Sequence, residues 1–397
     1  MLKPNTFALT VVLALLTALG PLSTDMYLPV LPAIAHNLAA TAGQAQLTLS
    51  VFLFGFAVGQ FFYGPISDRV GRKPVLLCGL VLFTLASLAC AVAPNVEMLI
   101  GARFVQALGA SGPIVLARAV VRDLYEGSRA GRELSRMASI MGVVPAIAPI
   151  FGGLIAPWGG WRMTFMVAMA FGAMLTIVVA FRLAESLPRK AAQAVSFGSI
   201  LRAFGNLSRH RGYRVYVMLS MLTYGGLFAF ISGSSFVLQN IYGLGQLAFA
   251  FSFALVVVGY IAGTFLAQHL VGPRGLDGTI LIGVACLALG GGAMAVLVAA
   301  GVPSFLAIVG PMVLYCAGVG LTMPQAMASA LMPFPDRAGT ASSLLGICQM
   351  SFAAILGIVL GQNLDGSALP LALTIAATGL AALVLFSSTR HARACRS

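Results

Sequence analysis

The chain has 397 residues, 59% of them hydrophobic and 8% charged. Soluble domains carry about 25% charge, so a water-soluble globular protein is excluded. The formal net charge is +13, but the basic residues gather in alternate stretches between apolar blocks. That is the pattern of a membrane protein with one positive side, not of a nucleic-acid binder.

Twelve apolar blocks follow one another, roughly 6–35, 46–63, 74–93, 98–121, 137–157, 162–183, 214–237, 247–271, 279–300, 304–326, 339–361 and 368–387. Each is near the ~20 residues that cross about 30 Å of hydrocarbon. Backbone groups in lipid need partners within their own segment, so the blocks are expected to be helices. The fold class read from this is an all-α membrane protein. Block one is too long for a secretory signal and lacks a small-residue cleavage site, so it reads as a retained span. Lys3, the 69–73, 118–136 and 182–214 stretches, Arg274, Arg337 and the tail Arg390, Arg393 and Arg396 fall on one side. Arg162 alone lies in an opposite loop, and Arg103 lies within a span. An even number of spans puts both termini on the positive, cytoplasmic side.

Block one ends Leu22-Ser23-Thr24-Asp25-Met26-Tyr27-Leu28-Pro29. Asp25 is the one acidic residue expected well inside a span. An isolated carboxyl there is suited to taking up and releasing a proton. The alternative is an aspartate that caps a helix break before Pro29. Between blocks two and three stands Gly64-Pro65-Ile66-Ser67-Asp68-Arg69-Val70-Gly71-Arg72-Lys73-Pro74, expected as a tight charged turn outside the hydrocarbon. Block four contains Arg103 with Gln106 three residues on, along one helical face. A cation in hydrocarbon costs about 2.5–3.5 kcal/mol on insertion scales, so Arg103 is expected to face a cavity or a partner, Asp25 being the candidate counter-ion. The alternative is an arginine that reaches the outer interface. Block five reads Gly142-Val143-Val144-Pro145-Ala146-Ile147-Ala148-Pro149-Ile150-Phe151-Gly152-Gly153, with small residues for close helix approach and prolines for bending.

The longest polar interruption, Ala184–Arg214, divides the spans six and six, with a short surface helix expected over Phe197–Phe204. In the second half, 272–278 (Gly-Pro-Arg-Gly-Leu-Asp-Gly) keeps the turn of the 64–74 segment without its charges, a faint internal repeat.

Five stretches carry a resemblance. Gly64, Asp68, Arg69, Gly71, Arg72 and Lys73 match the pattern G-x-x-x-D-R-x-G-R-K/R, which follows the second span in the major facilitator superfamily of transporters. Arg103 and Gln106 resemble that family's R-x-x-Q-G/A signature. Gly142, Pro145, Pro149, Gly152 and Gly153 resemble its antiporter signature, with Pro145 and Ala148 departing from the usual glycines. The end of block one, with Met332-Pro333-Phe334-Pro335-Asp336-Arg337-Ala338-Gly339-Thr340, resembles the bicyclomycin- and chloramphenicol-resistance branch of drug:proton antiporters.

The resemblance implies twelve helices in two six-helix bundles, residues 1–183 and 214–397, joined by a cytoplasmic linker at 184–213. It implies a monomeric, multi-pass protein of a bacterial inner membrane, in contact with lipid, exporting small amphipathic drugs by alternating access in exchange for protons. A sugar or metabolite exporter on the same fold is the alternative. Asp25 and Arg103 would couple protons. Tyr27, Gln60, Gln106, Tyr224, Phe228, Tyr315 and Gln349 are substrate candidates; Tyr63, Phe230, Ser232, Ser235, Tyr260 and Gln325 are further polar or aromatic residues inside spans. Gly64, Asp68, Arg69, Gly71 and Arg72, with Asp123, would form the conformational switch. The six cysteines lie in spans or the tail, so no disulfide is expected, and no spacing suggests a metal site. No G-x-x-x-x-G-K-S/T or G-x-S-x-G occurs, so neither a nucleotide-driven pump nor a hydrolase is expected, and no cofactor beyond the transported proton.

Overall fold

The computed structural model describes residues 6–125, 127–187, 197–334, 338–364 and 366–389. Lys3, Pro188, Arg189, Lys190, Pro335, Asp336, Arg337, Arg390, His391, Arg393, Cys395 and Arg396 lie outside the described residues. All regular structure among the described residues is helical, and eleven helices are long and apolar enough to cross a membrane. The chain divides into two units, Met1–Val195 and Ser196–Ser397.

The first unit holds α1 (Phe7–Asp25), α2 (Leu31–Asn37), α3 (Ala42–Val70), α4 (Arg72–Ala91), α5 (Val96–Leu124), α6 (Gly127–Gly159) and α7 (Arg162–Arg182). Helix starts follow from side chains that accept otherwise unpaired backbone N–H groups. The Leu9 N–H donates to Thr6 Oγ1 at 3.4 Å. Thr41 and Gln44 form a reciprocal capping box at the start of α3. The Met98 N–H donates to Asn95 Oδ1 at 2.8 Å. The first span is not one helix. Pro29 and Pro32 cannot donate to the preceding turn, so α1 stops at Asp25 and a short tight turn, Leu28–Val30, leads into α2.

Two expected loops are largely helical. The 64–74 turn shrinks to Gly71, whose φ of 123° separates α3 from α4, so most of the motif forms helix ends. The 118–136 stretch continues α5 to Leu124 and resumes in α6 from Gly127. Charged side chains end the apolar run but do not oppose helix, and Glu133 and Arg136 pair along it at i,i+3.

The second unit holds α8 (Phe197–Arg209), α9 (Arg211–Phe236), α10 (Gln246–Ala299), α11 (Leu306–Leu331), α12 (Ala338–Gln362) and α13 (Leu369–Ser388). The 54 residues of α10 would span about 80 Å as one rod, far beyond a bilayer. They are two helices joined at Gly275 (φ 68°), within the turn expected at 272–278. The surface helix α8 extends five residues past the expected Phe204 and packs on α9 and α12, so much of the expected 184–213 linker belongs to the second unit. The five described cysteines are unbridged.

The faint sequence repeat is plain in the packing. In the first unit α5 packs on α3 and α4, α4 on α7, and α1 on α5, α6 and α7. In the second, α11 packs on α10, α10 on α13, and α9 on α11, α12 and α13. Without water to drive association, close backbone approach over small residues holds such helices. Gly259 and Gly263 lie against the α11 backbone at Val313 and Ala317. Gly109 of α5 lies against the backbone of Phe83 in α4.

Gly109→Ala is therefore expected to force α4 and α5 apart and cost about 1–3 kcal/mol. Gly292→Ala, which meets no atom within 4 Å, is expected to be neutral or mildly stabilising. Thermal unfolding of the purified protein in detergent checks both; equal midpoints for the two variants would refute the close-packing account.

Candidate functional site

Arg103 stands at the centre of the first unit. Its side chain is fully buried, yet no carboxylate pairs with it among the described residues. Nη1 donates to the Ser23 carbonyl and hydroxyl, both at 3.3 Å, and to Gln106 Oε1 at 2.7 Å. Gln106 in turn donates through Nε2 to Ser87 Oγ at 2.8 Å. The guanidinium carbon lies 4.2 Å from the Phe52 ring centroid, 4.9 Å from Tyr27 and 5.7 Å from Phe165. Ring faces carry negative quadrupole and offset part of the cost of burying the charge. Nε and Nη2 have no hydrogen-bond partner among the described residues.

Asp25 is also buried. Its Oδ1 accepts from the Thr24 hydroxyl at 3.1 Å. The expected Asp25–Arg103 pair is not formed. Ser23 is the α1 residue turned to Arg103, and a residue two places on points about 200° round the helix. Asp25 and Arg103 thus lie near each other in the fold with separate partners.

The other candidates fall into the two units. Tyr27 is fully buried, hydrogen-bonded to Thr48 Oγ1 at 2.6 Å and tilted against Phe165 at 5.3 Å. With Gln106 it belongs to the surroundings of Arg103. Gln60 is half-buried on α3, and Tyr63 packs its ring against Gly112. In the second unit, half-buried Tyr224 stacks on buried Phe228 at 6.4 Å. Tyr315 is fully buried, with its hydroxyl 3.2 Å from Thr378 Oγ1. Phe230 stacks on Phe253 at 5.9 Å, and Ser232, Ser235, Gln325 and Gln349 are buried, while Tyr260 is half-buried.

A second cluster surrounds Gly71. Arg72 Nη1 lies 2.5 Å from Asp68 Oδ1 and donates to Ser67 Oγ at 2.6 Å. Its Nε donates to Asp123 Oδ2 at 2.9 Å. Ser186 donates to the same Asp123 oxygen at 3.1 Å. The backbone N–H groups of Arg72 and Lys73 donate to Glu185 Oε1 and Oε2 at 2.9 and 3.1 Å, so Glu185 caps α4. A Cβ at position 71 would stand 2.6 Å from Glu185 Oε2, which explains the glycine beyond its φ. Arg69 is exposed, and Gly64 meets nothing within 4 Å.

Gly142, Pro145, Pro149, Gly152 and Gly153 all lie on α6, which stays helical through Pro145, Pro149 and Pro157. Gly152 sits directly beneath the Met26 carbonyl, where no larger residue fits. Two carboxylates of the structure carry little signal in the sequence. Glu185 falls in the expected linker, where its position just after an apolar block is the one hint of a cap. Glu133 falls in the polar 118–136 stretch, yet it is buried in α6 and accepts from Thr10 Oγ1 of α1 at 2.7 Å. No group of three or more His, Cys, Asp or Glu residues able to hold a metal occurs among the described residues.

The family model described as Major Facilitator Superfamily matches residues 13–358. The uncharacterized MFS-type transporter YdgK of Bacillus subtilis is 34% identical over 395 residues, covering 97% of this chain and 96% of its own. A bicyclomycin resistance protein homolog of Haemophilus influenzae is 32% identical, covering 94% of each chain. Others at about 30% identity are named multidrug or chloramphenicol resistance proteins. Among solved structures, a mutant of the nucleoside transporter NupG superposes with a TM-score of 0.78 at 14% identity, covering 96% of this chain and all of that one, a likeness of fold alone. The chain thus has whole-length counterparts among bacterial transport and resistance proteins, and this multi-pass membrane protein belongs to the Major Facilitator Superfamily.

Proposed function

We propose that this transporter exports small amphipathic drugs, of the bicyclomycin or chloramphenicol kind, from the bacterial cytoplasm in exchange for protons. On this reading its twelve spans form two six-helix bundles with both termini in the cytoplasm, and the bundles alternate access to the drug. The relatives named for resistance support the substrate class. The alternation of basic stretches supports the orientation.

The observation that carries the reading is the buried carboxyl of Asp25 close in the chain to Ser23, which holds the uncompensated Arg103 cation. A neutral, protonated Asp25 needs no counter-ion in the apolar interior. Once deprotonated it needs one, and a cationic drug, or the unpaired Nε and Nη2 of Arg103, can supply it. A cationic drug then competes with the proton for one carboxylate, the minimum an exchanger requires, while a neutral drug such as chloramphenicol meets the proton through Arg103, whose Nε and Nη2 are free to donate to it only when Asp25 is protonated. Asp68, Arg72, Asp123 and Glu185 are read as the switch cluster, remote from the drug.

Energy coupling is tested in inverted vesicles without ATP. An imposed pH gradient is expected to drive accumulation of radiolabelled chloramphenicol, and accumulation that requires ATP while ignoring the gradient would sink the antiporter reading. Asp25→Asn retains size but cannot exchange a proton. Ethidium added to detergent-solubilised wild type is expected to release protons, and the variant to release none; wild-type release from the variant would remove Asp25 from the coupling role. Asp68→Asn is expected to slow transport about 5- to 150-fold, the range of a ~1–3 kcal/mol conformational coupling, while drug affinity stays near wild type. Affinity lost in step with transport would place Asp68 at the binding site instead.

A further inference from the structure

The seam between α1 and α6 carries a buried carboxyl near each end. At one end the Met26 carbonyl is pressed against Gly152 of α6, and buried Asp25 is the next residue back along α1. At the other is Glu133, only 7% exposed, held by Thr10 of α1. The rise from Thr10 to Asp25 is about 22 Å at ~1.5 Å per residue, most of the thickness of a hydrocarbon core. Glu133 has one ionic partner, Arg136, whose Nη1 reaches Oε1 at 2.7 Å. The Arg136 side chain is 64% exposed, so Glu133 is sealed on the seam side and close to water on the other. No charge from α5 or α7 pairs with it among the described residues.

Hydroxyl groups mark the face of α1 between the two carboxyls. Thr10, Thr17 and Thr24 recur every seven residues, nearly two helical turns, and so share one face. Thr24 donates to Asp25, Thr17 to the Ala14 carbonyl, and Thr10 to Glu133. Pro145 and Pro149 of α6 lack the N–H groups that would occupy the Met141 and Pro145 carbonyls, which leaves those carbonyls without their helical donors. Consecutive threonines are about 10 Å apart, too far to pass a proton directly, so transfer along this face requires water to enter between the helices during the transport cycle.

We propose that Glu133 is a second proton-exchanging carboxyl, passing protons between the α1–α6 seam and the water on the side where α1 begins. This rests on the proton-coupled reading above. The proton leaves the Asp25 carboxyl and is taken up by the Glu133 carboxylate, so one carboxyl becomes charged as the other becomes neutral. Glu133 then gives the proton to water beside Arg136. Each hydroxyl on the way accepts one proton and donates another, with no net change.

The test uses the full chain in liposomes with radiolabelled chloramphenicol, measured as gradient-driven uptake and as counterflow at equal pH, which needs no net proton movement. Glu133→Gln keeps an oxygen for Thr10 but cannot carry a proton. It is expected to lower driven uptake about tenfold or more while counterflow stays within about twofold. Thr10→Val is expected to act in the same direction and Thr10→Ser to behave as wild type, which keeps the question open to measurement if Glu133→Gln fails to fold. Equal loss of uptake and counterflow in Glu133→Gln and Thr10→Val would mean that the pair only clasps two helices, and wild-type uptake in both would mean that no proton uses it; either result overturns the inference. A wild type without gradient-driven uptake would instead take down the proton-coupled reading, before any variant is compared.

Discussion

In hydrocarbon, a backbone N–H or carbonyl without a partner costs several kcal/mol, and water is not there to replace it. The architecture follows from that constraint. The described residues are helical wherever they are apolar, and interruptions occur where the sequence supplies a chemical reason. Gly71 and Gly275 reverse the chain at positive φ, and Pro29 and Pro32 withhold donors just past Asp25. Helices that have satisfied their own backbones have little left with which to attract each other, so close approach over glycine supplies the cohesion. Gly109 of α5 against Phe83, and Gly318 of α11 against Leu287, do this in corresponding places of the two units.

The same scarcity of polar partners makes the few buried charges informative. Arg103 is held by one serine, one glutamine and three ring faces rather than by an anion. A permanent salt bridge there would neutralise the site in every state. A cation balanced by neutral groups leaves the local charge unneutralised. Arg72, at the end of the hydrocarbon, has the opposite arrangement. Two carboxylates, a serine hydroxyl and the capped backbone fix it in place.

Much of this was legible in the sequence because a membrane simplifies the reading. Spans announce themselves by length, and the 64–74 motif names its own cluster of Asp68 and Arg72. What the sequence hid depended on direction and depth. Asp25 and Ser23 are two residues apart, and only the helix angle decides which of them meets Arg103. Glu133 and Glu185 lie among charged neighbours that look solvated, and hydropathy cannot tell a buried carboxylate from an exposed one at a helix end. The 118–136 stretch reads as a loop because polarity marks the end of lipid, not the end of helix.

The distribution of proline gives the two units different stiffness. Within the first, α4 and α7 pack together with no interior proline, while their counterparts across the unit, α1 and α6, carry one and three. Each of those prolines deletes a backbone bond and lowers the resistance of its helix to bending. The first unit is therefore a rigid wall joined to a compliant one. In the second unit α9 and α12 occupy the places of α1 and α6, and neither has a proline. Two halves built to one plan would not share deformation equally: under the same load, α1 and α6 would bend while their counterparts moved as stiff rods.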